Sequence, residues 1–130
     1  MSPLPTTVSD PELIAFVDRW ATLLEQDDYE AAFAFTDHTP EMGWTPSLVR
    51  EVIQCYGDAN PHQRVTVAGV PTDVTQRKKV LRWPTNAHGY FGEIWYDLNI
   101  DGQASDLTAT FDLKWAEHGV TVHLNDIHVL

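Results

Sequence analysis

The sequence predicts an α+β fold, with N-terminal helices packed on a curved antiparallel sheet. Residues 9–57 place apolar side chains at helical spacing, and residues 89–130 alternate with the period of strands. The two patterns are segregated along the chain, which argues against repeated βαβ units. The 130 residues are 43% hydrophobic and fit one domain with its own core. That domain is expected to span 1–130, with 1–8 as a flexible start.

The first helix is expected from Ser9 to Gln26. Ser9 and Glu12 have capping-box spacing, and Pro11 suits a first turn. Leu13, Val17, Trp20 and Leu24 make its stripe, widened by Ile14 and Ala21. A second helix follows, capped by Asp27, with Tyr29, Ala32, Phe33 and Phe35 as its apolar face. It stops before Thr39-Pro40, because a residue preceding proline avoids helical backbone. A third begins at Thr45-Pro46 and ends at Gly57, with Leu48, Val49, Val52, Ile53 and Tyr56 inward. Cys55 lies among these apolar residues and is expected to be buried and inert.

Residues 64–70 and 74–83 read as two weaker strands, separated at Gly69-Val70-Pro71. Three long strands follow over 89–100, 105–117 and 120–130, with turns at Asp101-Gly102 and His118-Gly119.

Parity sorts the strand side chains into faces. One face takes Tyr90, Ile94, Tyr96, Leu98 and Ile100, with Leu107, Ala109, Phe111, Leu113 and Trp115 from the next strand. A four-residue loop, 101–104, sets Ile94 opposite Phe111 and Tyr96 opposite Ala109. A two-residue loop would oppose Asp97 and Asp106, and the four-residue register opposes Glu93 and Asp112, so charge does not choose between them. In the last strand the apolar parity changes between Leu124 and Ile127, which predicts a β-bulge near Asn125-Asp126. The other face is mixed and mostly polar. On it Phe91 and Trp95 stand as large aromatics among charges, either as an interface or as ordinary scattered apolar surface.

The net charge of −11 is uneven. Residues 1–60 carry −9, residues 61–84 carry +4 and residues 85–130 carry −6. The basic island of Arg64, Arg77, Lys78, Lys79 and Arg82 reads as a solvated strand edge or as a dock for an anionic group. The overall acidity argues against nucleic acid or an anionic membrane as partner. No apolar run approaches the about 20 residues of a membrane span. Residues 1–9 lack the basic and apolar regions of a signal peptide. A single cysteine makes no internal disulfide. These features predict a cytoplasmic protein without a metal or other cofactor.

The stretch "FVDRWATLLEQDDYEAAFAFTDH", residues 16–38, contains a D-Y-x-x-A motif at Asp28, Tyr29 and Ala32. With the closing stretch, residues 89–130, it resembles the NTF2-like, cystatin-like α+β superfamily, in particular uncharacterised bacterial proteins of that class. The resemblance implies a cone-shaped pocket between helices and concave sheet, lined here by Trp20, Tyr29, Tyr56, Tyr90, Tyr96, Phe111 and Trp115. At these spacings the same residues also suit plain core. The superfamily includes isomerase-like and dehydratase-like enzymes, cyclases, transport adaptors and immunity proteins, and it often dimerises through the outer sheet face.

An isomerase-type site needs an acid or base inside an apolar pocket. The predicted concave face contains neither a carboxylate nor a histidine. The expected function is therefore non-catalytic binding of a small apolar ligand or a partner protein, immunity-type recognition included. Phe91 and Trp95 are the expected interface, for a homodimer or another partner. The alternative is a small cofactor-independent enzyme of isomerase or dehydratase type. Its candidate residues are Asp37 and His38, which equally suit an ordinary helix end. Asp97, His123 and His128 share the outer face, but on strands separated by a third. The histidines show no metal-binding spacing.

Overall fold

The computed structural model describes residues 3–70 and 76–129. Helix α1, Asp10–Glu25, opens with the expected box: the Glu12 amide donates to Ser9 Oγ at 3.3 Å, and the Ser9 amide donates to Glu12 Oε1 at 3.2 Å. Helix α2, Tyr29–Phe35, is capped by Asp28 rather than Asp27. Asp28 Oδ1 accepts the Ala31 amide at 3.0 Å. Asp27 instead takes a left-handed φ of 57°, a conformation Asp tolerates, and turns the chain between the helices.

Helix α3, Pro46–Gln54, keeps its predicted cap, Thr45 Oγ1 accepting the Leu48 amide at 3.0 Å. Gly57 is left-handed as expected, but it lies beyond the capping residue Cys55. Cys55 is exposed, not buried. It stands two residues past the inward Ile53, about 200° round the helix axis.

Among the described residues one sheet has six strands: β1 (Asp37–His38), β2 (Val65–Thr66), β3 (Lys78–Arg82), β4 (Tyr90–Ile100), β5 (Gln103–Ala116) and β6 (Gly119–Val129). Their order is β1-β6-β5-β4-β2, and β3 shares the free edge of β4 with β2. β1 runs parallel to β6, so the sheet is mixed rather than wholly antiparallel. The two weaker strands shrink to β2 and β3; residues 71–75, with Pro71 and the expected start at 74, lie outside the described residues. Ahead of α1, Leu4 exchanges two 2.8 Å backbone bonds with Val120.

β4 and β5 adopt the register that opposes Ile94 to Phe111 and Tyr96 to Ala109. The turn nevertheless holds two residues, Asp101 and Gly102, both with positive φ. Asp97 pairs with Thr108 but Asn99 with Ala104, so β5 absorbs two extra residues between them. That irregularity keeps Asp106 away from Asp97, and Asp106 accepts the Tyr56 hydroxyl instead. In β6, Leu124 pairs with Phe111 and Asp126 with Thr110. Asn125 is the extra residue, the bulge that the change of parity predicts.

A third irregularity departs from the expectation. Tyr90 pairs with Lys114 and Gly92 with Leu113, leaving Phe91 as the extra residue. The two aromatics therefore exchange their expected faces. Tyr90 is on the outer face, with Lys114 Nζ 5.3 Å from its ring centroid and the His123 ring at 6.0 Å. Phe91 is buried on the inner face and stacks on Trp115 at 4.1 Å.

Helix α1 packs against β2, β3 and β4 and covers the inner face. Trp20, only 1% exposed, meets the fully buried Phe111 edge-on at 5.1 Å. Leu13, Val17, Leu24, Ile94, Leu98 and Leu113 are buried around them. Each such side chain contributes about 1.5–3 kcal/mol of transfer free energy. Among the described residues no helix is long and apolar enough to cross a membrane.

Candidate functional site

The residues expected to line an inner pocket separate into three groups. Trp20, Tyr29, Tyr96 and Phe111 are buried in the core. Tyr56 and Trp115 stand at the rim; Trp115 Nε1 donates to Thr85 Oγ1 at 2.9 Å. Tyr90 has left for the outer face. The Tyr96 hydroxyl donates to Asp18 at the edge of the core, and burial, then that carboxylate, pushes the phenol far up. Lys78 Nζ lies 4.0 Å from the same carboxylate.

Asp37 and His38 diverge, because neighbours on a strand face opposite ways. His38 Nε2 donates to the Phe33 carbonyl at 2.8 Å, and its ring stacks on Phe33 at 3.9 Å. A carbonyl only accepts, so this nitrogen carries the proton. Burial lowers the His38 pKa, against that bond. Asp37 pairs with His123 on the outer side of the sheet.

The outer face is built in cross-strand rows. Asp97, Thr108 and His128 form one row across β4, β5 and β6. The next holds Trp95, Thr110 and Asp126, and a third holds Glu93, Asp112, His123 and Asp37. Asp97 and His128 are thus held apart by Thr108, whose hydroxyl donates to Asp97 Oδ1 at 2.7 Å. His128 Nδ1 lies 3.0 Å from Asp126 Oδ2.

Much of this face is not solvated as parity alone suggests. Asp97, Asn99, Thr108 and Thr110 are buried. The segments flanking β2 and β3 cover the first two: the Arg77 amide donates to Asp97 Oδ2 at 2.8 Å, and Gln76 Nε2 donates to Asn99 Oδ1 at 2.8 Å. Gly69 approaches so closely that a Cβ there would sit 2.2 Å from Asn99 Oδ1. Burial raises the Asp97 pKa, but the bonds from Arg77 and Thr108 outweigh it and hold the carboxyl below its usual range. Trp95 lies half-buried beneath Arg77 and Lys79, at 5.2 and 5.4 Å, with Nε1 donating to Glu93 Oε1 at 2.7 Å.

The basic island is largely spent on internal pairing. Arg64 meets Asp27 at 3.1 Å, Arg77 meets Asp97 at 3.3 Å and Arg82 meets Asp10 at 2.8 Å. Arg82 fastens β3 to α1 and Arg64 reaches the turn after α1, while Arg77 ties the segment before β3 to β4.

At the Tyr90 end of the outer face the surface opens into a cleft. The turn Pro40–Met42 and the segment after β3 form its sides, and Tyr90 and Asp112 lie within it. Thr39 Oγ1 donates to Asp112 Oδ2 at 2.8 Å. Burial raises the Asp112 pKa; the Thr39 bond opposes this, and Glu93 and Glu41 add to it. Burial lowers His123, which stands directly opposite Asp112. Among the described residues, no three or more His, Cys, Asp or Glu side chains are grouped to hold a metal ion.

Trp83 is a cleft residue that parity does not reveal, because it ends the weaker strand expected over 74–83 and only the three long strands alternate clearly enough to assign faces. Asp112 was visible only as one polar outer-face residue. A usable signal was Gly89-Tyr90-Phe91-Gly92: glycines flanking two aromatics suit a bulge that redirects one of them.

No curated protein and no solved structure matches this chain. A family model described as a domain of unknown function, DUF7668, matches residues 21–130. That is well over half of the sequence, and the chain belongs to the DUF7668 family.

Proposed function

We propose that this chain is a non-catalytic recognition protein of NTF2-like architecture that binds another protein through its outer sheet face. One observation carries this reading: α1 fills the concave face, with Trp20 seated against Phe111 where a pocket protein would hold its ligand. The outer face offers a partner its acidic rows and the exposed Leu81 and Trp83. A charge of −11 favours a basic partner and speeds its encounter. An immunity-type role against a basic protein fits this chemistry. A second copy would bring acidic rows against each other, so a foreign partner fits better than a homodimer.

A second reading, proton-transfer chemistry, draws on the facing Asp112 and His123, whose pKa values are shifted in opposite senses. Burial is the largest cause for both, so a catalytic role is not needed to account for them.

Native mass spectrometry on protein taken gently from its own cells tests the first reading. The expected result is a stoichiometric complex with a second, different polypeptide. A chain that instead retains one reproducible small-molecule mass contradicts it.

A further inference from the structure

The outer-face cleft has walls of two kinds. Met42, 42% exposed, and Trp83, 39% exposed, give it apolar sides, while Glu41 and Asp112 give it carboxylates. Tyr90 contributes a second aromatic ring, already approached by Lys114 Nζ at 5.3 Å, so Trp83 is the ring open to an arriving cation. Two bulges border the cleft: the one in β4 turns Tyr90 outward, and the one in β6 brings Asn125 to the wall. Both are fastened internally. Asn86 Oδ1 accepts the His88 and Tyr90 amides at 2.9 and 3.0 Å, and the Asn125 carbonyl accepts Trp44 Nε1 at 2.8 Å. The cleft is therefore formed in advance and little ordering is needed on binding.

Aromatic faces beside carboxylates suit an organic cation. The rings attract it through their quadrupoles, and the carboxylates give charge-assisted hydrogen bonds. A planar guanidinium does both at once, by stacking on an indole and pairing with a carboxylate. Asp112 lies opposite Glu93, so an arriving cation also relieves an existing repulsion. A hard metal ion needs several converging oxygens, and no such group occurs among the described residues. Around the cleft the outer face continues with Leu81 exposed and Trp95 half-exposed. Resting on the recognition reading above, we infer that the cleft receives an arginine side chain projecting from a basic partner protein.

The test titrates a blocked Gly-Arg-Gly-Arg-Gly peptide into the full chain and follows the indole N–H signals of its five tryptophans. The Trp83 signal should move saturably and Trp20 should stay fixed. Asp112→Asn keeps an acceptor for Thr39, and Glu41→Gln changes only an exposed side chain. Each should weaken binding about fivefold or more, and the citrulline peptide should not bind. An unmoved Trp83, equal binding by both variants, or an equal shift with tetramethylammonium overturns the inference. If Trp95 moves and Trp83 does not, outer-face recognition stands while the cleft assignment fails. If Trp20 moves, the recognition reading itself fails.

Discussion

Glu93 and Asp112 face each other directly across β4 and β5, two carboxylates in one cross-strand pair. Like charges so placed oppose folding. Each is partly compensated, Glu93 by the Trp95 indole and Asp112 by the Thr39 hydroxyl. Glu93→Gln removes a charge but keeps an acceptor for Trp95. Urea unfolding at neutral pH should show it more stable by about 0.5 kcal/mol. A clear loss of stability would mean that the Glu93 charge itself holds the sheet.

Acidification should weaken the fold through two histidines. Burial lowers both His38 and His123 from the ordinary value of 6.5. Below that value the unfolded chain takes up protons before the folded one, so stability falls as pH drops towards the folded-state pKa values. Asp112 acts in the opposite sense at lower pH: its raised pKa returns stability as pH falls through it towards the unfolded value of 3.8. Denaturation curves at about pH 7.5 and about pH 5.5 should show a loss in the wild type and a smaller one in His38→Gln with His123→Gln. Equal losses in both proteins would remove these rings as the cause.

The bulge at Phe91 makes neighbouring aromatics respond differently. Phe91→Ser opens a hole beside Trp115 and should cost about 3 kcal/mol in urea unfolding. Trp95→Ser, on the outer face, should cost about 1 kcal/mol or less. The reverse order would mean that Phe91 faces outward.

Asp97 ties β4 to Arg77 and to Thr108. Asp97→Ala leaves a buried hydroxyl and a guanidinium without their acceptor, and should cost about 2 kcal/mol at neutral pH. Its lowered pKa means that this contribution is present above the unfolded value of 3.8 and is lost as pH falls through the folded one. Acid unfolding of the variant should therefore begin from a lower plateau and fall less steeply. A variant as stable as the wild type would show that Asp97 only occupies space.

Sequence pattern revealed those parts of the fold whose cause is local. Ser9 with Glu12 declares a helix start because the capping box joins residues three apart, and Thr45 with Pro46 does so because a capping hydroxyl precedes a residue suited to the first turn. The Asn125 bulge is legible because the apolar residues on either side of it change parity. The Phe91 bulge is not, because Tyr90 and Phe91 are both aromatic and parity prefers the wrong one. Buried Asp97 and Asn99 are illegible for another reason: their cover comes from Gln76, Arg77 and Gly69, whose contacts follow from tertiary structure. The cleft is hidden in the same way, since Met42 and Trp83 meet it from segments far apart in the chain.

The closed inner face bears most of the account, and the tryptophans test it without knowledge of any partner. In 5-fluorotryptophan-labelled protein, a soluble paramagnetic agent should broaden Trp83 and Trp115 most, Trp95 next, and Trp44 and Trp20 least. That order follows their exposure, from 39% at Trp83 to 1% at Trp20. Broadening of Trp20 to the level of Trp83 would contradict the account, because solvent would then reach the concave face and a ligand could enter it.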